Sequence, residues 1–370
     1  MRIFSSCPRA RRLRGPCCSM RRARTREAAD SMAAPNRPRP ERRPFVRLGR
    51  HAERPAERAV EVRCPPSGPA EKGQDMKKIR DEVKEGRVLI SDGAWGTMLQ
   101  QGGFQPGECL ELWNVEMREA VLAVAGAYIQ AGADMIETNS FGGNRYKLAL
   151  YGLEDRVGEL NAAAAAISRQ AAGPGRHVLG SIGPTGKLLI MQEVTEADLF
   201  EAFCDQVVAL EQGGADACCI ETFADIDEAR CAVRAAKERT DLEIICTFSF
   251  DKTPKGEYRT IMGVTPARMA GTMVEAGADI IGANCGIGMA RMVEVVREIR
   301  AVDRLTPILV HANAGLPVMV GDRATYPETP EVTAAYFPRL VEAGANIIGG
   351  CCGTTPAHIA ALVGARRQQS

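Results

Sequence analysis

Four copies of one phrase constrain this chain more than anything else in it. AGADMIETNSF (131–141), GGADACCIETF (213–223), AGADIIGANCG (276–286) and AGANIIGGCCG (343–353) each set a Gly just before a short apolar run. Glycine readily takes the left-handed conformation that ends many helices. An apolar run bounded by turn residues reads as a buried strand. Apolar runs at 87–92, 133–138, 177–182, 217–222, 243–249, 279–284, 307–312 and 346–350 alternate with amphipathic stretches at 116–131, 154–171, 196–212, 225–238, 266–276, 289–300, 329–343 and 356–366. Such alternation points to βαβ units and parallel pairing, and eight units of this length predict a single-domain (β/α)8 TIM barrel. An open doubly wound sheet is the other arrangement the alternation allows. No Gly-x-Gly-x-x-Gly turn follows the first strand to support it.

In a barrel, alternate strands feed side chains into the same layer, and the four phrases fall on strands two, four, six and eight. Seven residues past each Gly stand Asn139, Glu221, Asn284 and Cys351; eight past stand Ser140, Thr222, Cys285 and Cys352. Cys285 and Cys352 are therefore expected at one height near the C-terminal mouth, where active sites of this fold lie. Glycines flank Cys285 and the Cys351-Cys352 pair, so the backbone can bend to aim the thiols together. Zinc favours thiolate ligands, and three protein ligands leave the fourth, catalytic position open. Plain burial is the competing reading, because free Cys is often a core residue. Cys218-Cys219, an adjacent pair inside a strand with no flanking Gly, is assigned to packing on that ground.

Composition narrows the setting. The chain is 370 residues long, 45% apolar and 25% charged, the profile of a soluble globular protein. It shows no apolar run of membrane-spanning length and no secretory leader pattern. Its 13 Cys are odd in number and sit mostly in strand-like runs, which suits a reducing compartment and predicts a cytoplasmic location. The net charge of +1 hides an asymmetry: residues 1–75 carry 18 Arg and 1 Lys against 8 acidic residues, and residues 76–370 carry 28 basic against 38 acidic. The Pro-rich head lacks apolar periodicity and is expected to be a disordered extension, with residues 76–370 forming the barrel. A nucleic-acid-binding arm, an organelle-targeting peptide and a start codon set too far upstream would each explain the head. Met76-Lys77-Lys78-Ile79 reads as a natural start and favours the third, so no nucleic-acid partner is expected.

Eight strings spread over 87–366 carry a family resemblance: DGAWGTMLQ (92–100), ETNSFGGNRYKL (137–148), YGLEDRVGELN (151–161), GSIGPTG (180–186), ETF (221–223), GANCG (282–286), HANAGLP (311–317) and GGCCGTTPAHIAAL (349–362). The chain resembles the homocysteine S-methyltransferase family, in particular the homocysteine-binding module of cobalamin-dependent methionine synthase. The resemblance implies a (β/α)8 barrel with one Zn2+ on Cys285, Cys351 and Cys352 and the substrate thiol at the open position. A free thiol is mostly protonated at neutral pH, metal ligation removes its proton, and the thiolate is the nucleophile.

The resemblance places the amino-acid end of homocysteine near strands one and four. Gly93, Ala94 and Gly96 would offer backbone N–H groups and Thr97 a hydroxyl to the carboxylate, while Asp92 and Glu221 would accept from the ammonium. Asp92 reads equally as a turn residue after a strand, and Glu221 as an ordinary strand-end carboxylate. Asn313, between the two cysteine-bearing strands, is a metal ligand of the substrate-free state by resemblance and a turn Asn by position. Asn139 and Ser140 are expected to line the pocket, His311 to lie in the interior, and His358 to be structural.

No Asp-x-His-x-x-Gly cobalamin loop occurs, so the methyl donor is expected from outside. A separate methyl-corrinoid protein is favoured over S-methylmethionine or betaine. Two other readings compete with the methyltransferase: a zinc TIM-barrel hydrolase, for which the four His show no metal-ligand spacing, and a non-catalytic thiol- or zinc-binding module.

Overall fold

The computed structural model describes residues 76–105, 107–321 and 323–369. The extension expected over residues 1–75 lies outside the described residues.

Eight parallel strands run in the order expected of a barrel: β1 (Leu89–Ile90), β2 (Met135–Glu137), β3 (His177–Ile182), β4 (Ala217–Phe223), β5 (Glu243–Phe248), β6 (Ile280–Gly288), β7 (Ile308–Asn313) and β8 (Ile347–Gly350). From β2 onward each strand pairs in parallel with the next, and β1 pairs with β8. Eight main helices follow the strands in turn: α1 (Arg118–Ala131), α2 (Val157–Ala172), α3 (Glu196–Gln212), α4 (Ile226–Arg239), α5 (Pro266–Ala276), α6 (Met289–Val302), α7 (Pro330–Ala343) and α8 (Pro356–Gln369). The fold is the (β/α)8 barrel that the alternation predicts. Two antiparallel hairpins absent from that expectation, Asp251–Lys252 with Tyr258–Arg259 and Val318–Val320 with Arg323–Thr325, rise after β5 and β7. Their strands are two or three residues long, too short for a periodic signal.

The fourfold phrase has a structural cause. Gly132, Gly277 and Gly344 end α1, α5 and α7 in the left-handed conformation. Two residues on, each copy carries Asp or Asn, and all four make the same pair of bonds to the strand before. Asp134 donates its N–H to Ile90 O (2.7 Å) and its Oδ2 accepts from Ile90 N–H (2.7 Å). Asp216 does this with Val178 (2.8 and 2.7 Å), Asp279 with Ile244 (2.8 and 3.0 Å) and Asn346 with Ile308 (2.9 and 3.0 Å). An arginine then satisfies each side chain: Arg366, Arg169, Arg80 and Arg300 in turn. The Asp134–Ile90 bonds also draw β2 against β1, the one neighbouring pair without a regular ladder.

The barrel interior is a closed apolar ring that includes Leu89, Met135, Leu179, Cys219, Ile245, Ile280, Leu309 and Ile347. A short helix, Ile79–Lys84, plugs its lower end with Ile79 and Val83. Its first N–H groups would be orphans, and Glu243 of β5 accepts them, from Ile79 (2.5 Å) and Arg80 (3.1 Å). A larger apolar layer joins the outer strand faces, such as Ile136, Ile220 and Val310, to helix residues such as Tyr128, Leu210 and Val296. Among the described residues no helix is long and apolar enough to cross a membrane.

The upper ends of β4 and β6 depart from regular pairing. Register shifts fall between Ile220 and Phe223 and between Asn284 and Gly288. There Thr222 (φ 62°) and Cys285 (φ 58°), the equivalent positions eight past the repeat Gly, take left-handed backbone. Such a conformation costs an L residue on the order of 1–3 kcal/mol and persists only where the surroundings impose it. Bulges of this kind re-aim side chains beside functional sites.

Candidate metal and substrate site

The bulge in β6 turns Cys285 toward the end of β8. Cys285, Cys351 and Cys352 there bring their sulfurs within 4.8 Å of one another, and Cys285 Sγ stands 3.8 Å from Cys352 Sγ. Two sulfurs bound tetrahedrally at the usual zinc–sulfur length lie about 3.8 Å apart, so the donor set fits a zinc ion by its chemistry and its spacing. Among the described residues this is the only group of His, Cys, Asp and Glu so arranged. The neighbouring Cys285 and Cys351 thiols lower the Cys352 thiol, the direction that suits a cation site.

Backbone bonds lock the thiols to their neighbours. Cys351 donates to Ala312 O (2.7 Å) and Cys352 O accepts from Ala314 N–H (3.0 Å), which sets Asn313 of β7 alongside the pair. Asn313 Oδ1 is buried and finds no hydrogen-bond partner among the described residues. Gly353 has φ 80°, and a Cβ there would meet the Tyr326 ring at 2.2 Å. Tyr326 consequently lies over the cysteine turn, and burial, then the neighbouring Cys352, raises its phenol. Sequence reasoning missed Tyr326, which follows the unpredicted hairpin.

Beneath the thiols lies a buried set of carboxylates. Asp92 is fully buried and accepts from Trp95 Nε1 (2.9 Å), Glu137 N–H (2.9 Å) and Ser91 Oγ (3.2 Å). Burial first, then the charge of Glu137, raises its pKa to about 7. Burial likewise raises Glu137 to about 7. Glu221 accepts from Ser181 Oγ and from Asn284 Nδ2 (3.1 Å), and burial followed by Glu137 drives its pKa upward. His311 Nδ1 stands 3.4 Å from Glu137 Oε1, and burial lowers the imidazole. Glu137 Oε1 and His311 Nε2 both lack a hydrogen-bond partner among the described residues.

Asp92 and Glu221 thus share one buried pocket, and His311 takes the interior place expected of it. Glu137 was not singled out in the sequence. It lies five past its repeat Gly, the position that Cys219 holds on β4, and the Cys219 thiol is raised by burial and then by Glu137. The inward parity that found the other residues held the signal for Glu137 too.

Several of the residues expected around the substrate also bond to the protein itself. Asn139 Nδ2 donates to Leu110 O (2.9 Å) and Asn114 Oδ1 (3.0 Å), tying down the segment above β2. Ser140 is buried and spends its hydroxyl on Ser181 O (2.7 Å). In the turn after β1, the Ala94 N–H is donated to Thr354 Oγ1 (3.1 Å) and is not free for a carboxylate. Thr354 in turn donates to Cys351 O (2.7 Å), so that bond joins the Asp92 turn to the cysteine turn. A Cβ on Gly93 would meet Thr354 Oγ1 at 2.7 Å, which is why glycine follows Asp92. Thr97, partly exposed, lies in the first turn of the helix Gly96–Gln101. Cys218 and Cys219 are wholly buried in β4, as a packing pair should be. His358 ties Thr355 (2.9 Å) to Glu328 O (3.0 Å), a structural role.

Comparison with known proteins agrees with this arrangement. The profile of a family described as homocysteine S-methyltransferase matches residues 89–365. The methionine synthase of Mycobacterium tuberculosis is 35% identical over 304 residues, 75% of this chain and 24% of its own length. That of Mycobacterium leprae is 31% identical over 299 residues, 74% of this chain and 24% of its own. The chain therefore spans about a quarter of the length of these relatives. The metallated homocysteine methyltransferase MmuM of Escherichia coli superposes with a TM-score of 0.63 at 25% identity, covering 79% of this chain and 99% of that one. A methyltransferase from Methanosarcina mazei, at 13% identity and a TM-score of 0.52 over 79% of this chain and 98% of its own, shares the fold.

Proposed function

The chain belongs to the homocysteine S-methyltransferase family, a family of methyltransferase enzymes, and from that premise we propose that its barrel methylates the thiol of homocysteine, giving methionine, on a zinc ion held by Cys285, Cys351 and Cys352. The convergence of the three sulfurs at the upper end of the strands carries the reading. Zinc at that place would hold the substrate sulfur as the thiolate, its nucleophilic form. The unpartnered Oδ1 of Asn313 would serve as the oxygen ligand before substrate arrives.

The chain's own residues hold the rest of the substrate. Asp92 and Glu221 accept from the ammonium group, and Glu137 adds a third buried carboxylate beside them. An entering cation relieves the mutual repulsion of these groups, so recognition of the amino-acid end is electrostatic. The carboxylate end goes to the turn at Gly93 and the start of the helix Gly96–Gln101, where Thr97 lies. Large apolar side chains stand exposed on the loops that follow the strands: Ile190 and Met191 after β3, Ile261 after β5, Val318 and Met319 after β7. Exposed apolar groups clustered on one face favour a protein partner. With the methionine synthase relatives, this favours a methyl-corrinoid carried on protein as donor over S-methylmethionine or betaine. The nine described cysteines are all free, which suits a reducing, cytoplasmic setting.

The test is methionine formation by zinc-loaded protein with homocysteine and each donor class in turn. Activity with the corrinoid donor and its loss in Cys285→Ser, Cys351→Ser and Cys352→Ser, together with loss of zinc, is expected. Methionine from S-methylmethionine with no corrinoid present would overturn the donor assignment; zinc retained by all three variants would overturn the metal site.

A further inference from the structure

Asn284 stands between the two halves of the site. It precedes Cys285, is wholly buried, and uses its full hydrogen-bonding capacity on β4 and β5. Its Oδ1 accepts from the Thr222 N–H (2.7 Å) and from Thr247 Oγ1 (2.8 Å). Its Nδ2 donates to Glu221 Oε2 (3.1 Å) and to Thr222 Oγ1 (2.6 Å). A buried side-chain amide offers two donors and two acceptor lone pairs, and here all four are engaged. Both left-handed residues of the upper sheet are its immediate partners: Thr222 by hydrogen bond and Cys285 by the chain. Both register shifts fall at the same two strands.

We infer that Asn284 is a positioning residue that couples substrate recognition to the metal centre, its amide N–H aiming the Glu221 carboxylate at the ammonium group while its carbonyl clamps the bulges that present Cys285. The inference rests on the zinc and homocysteine reading above and deepens it. The two arms are chemically separable. Asparagine's oxygen serves the β4–β5 clamp through the Thr222 N–H and Thr247, while its nitrogen serves Glu221 and the Thr222 hydroxyl; that hydroxyl can turn to donate to an oxygen in the same place, so a change of one atom severs the Glu221 arm and spares the clamp. Groups that orient ligands from behind commonly change metal affinity or activity by 10–100-fold when removed.

Asn284→Asp keeps an oxygen for the Thr222 N–H and Thr247 but sets a second carboxylate oxygen against Glu221 Oε2. Its KM for homocysteine is expected to rise about tenfold or more, with zinc affinity within about threefold of the parent, measured on the full chain by competition with a chromogenic chelator. In a Glu221→Gln background the same change should cost little, because the repelled carboxylate is gone. Asn284→Ala cuts both arms and should weaken zinc and homocysteine together. Thr247→Val, which removes one bond to Oδ1 at constant shape, gives the milder form of the zinc defect should the alanine variant fail to fold. A merely structural role predicts lower melting temperatures with KM unchanged in Asn284→Asp, and that result, or additive effects of Asn284→Asp and Glu221→Gln, overturns the inference. Cys285→Ser separates the two levels. Zinc retained there and in Cys351→Ser and Cys352→Ser alike sinks the zinc reading itself, whereas zinc lost in them with unaltered Asn284 variants sinks only the coupling.

Discussion

Asp92 and Glu137 lie buried with only the lowered imidazole of His311 beside them, and burial raises both to about 7. Two consequences of opposite sign follow. A carboxyl whose pKa is raised in the fold binds its proton more tightly there than in the unfolded chain, so the substrate-free protein should lose stability as pH rises from about 4 to 7. An ammonium ligand needs the ionised form, so homocysteine affinity should be full above neutrality and fall as pH drops below about 7. Chemical denaturation and KM measured across that range check the pair of trends; a KM flat from pH 5.5 to 8 would remove the carboxylates from substrate binding. The Tyr326 ring lies against the Cys351–Cys352 turn, and a phenol there can donate to a thiolate. Tyr326→Phe should weaken zinc binding by about three- to tenfold, read by chelator competition, with the fold intact.

The repeated Asp or Asn after each helix-ending Gly is the device that sets each even strand against its predecessor. Asp216→Ala removes the side-chain acceptor of the Val178 N–H on β3 and the carboxylate partner of the Arg169 guanidinium. Unsatisfied buried groups cost about 1–3 kcal/mol, and unfolding in urea should show a loss of that order. Asp216→Asn should cost less, because the fourth copy of the phrase already uses Asn346 for the same bonds. The plug helix is a second element whose worth can be measured. Ile79 is wholly buried in the barrel's lower ring, so Ile79→Ala should cost about 2–5 kcal/mol. Zinc content should stay unchanged, since the plug lies at the opposite end of the strands from the thiols. Loss of zinc in that variant would show the two ends to be coupled.

For the molecule as a whole, a ligand that binds only the folded chain raises its stability by mass action. The melting temperature should therefore rise with free zinc and fall on chelation, and the zinc dependence should vanish in Cys352→Ser. Calorimetry at several zinc concentrations reads this directly. Much of the architecture was legible before any coordinates. Side chains alternate in and out along a strand whatever surrounds it, and alternate strands of a barrel share a layer. Counting from Gly277 and Gly344 was therefore enough to bring Cys285 and Cys352 to one height, and counting from Gly214 placed Glu221 beneath them. The same count could not show that Asn139 is also tied to Leu110 and Asn114, from the segment that folds over β2. It could not find Tyr326 over Cys352, the Glu137–His311 contact or the plug held by Glu243. Each of these joins segments far apart in the chain, and only closure of the sheet brings them within reach. Local periodicity decided which residues face inward and at what level. Closure decided which of them meet, which polar atoms are left unpartnered, and so where a ligand would be held.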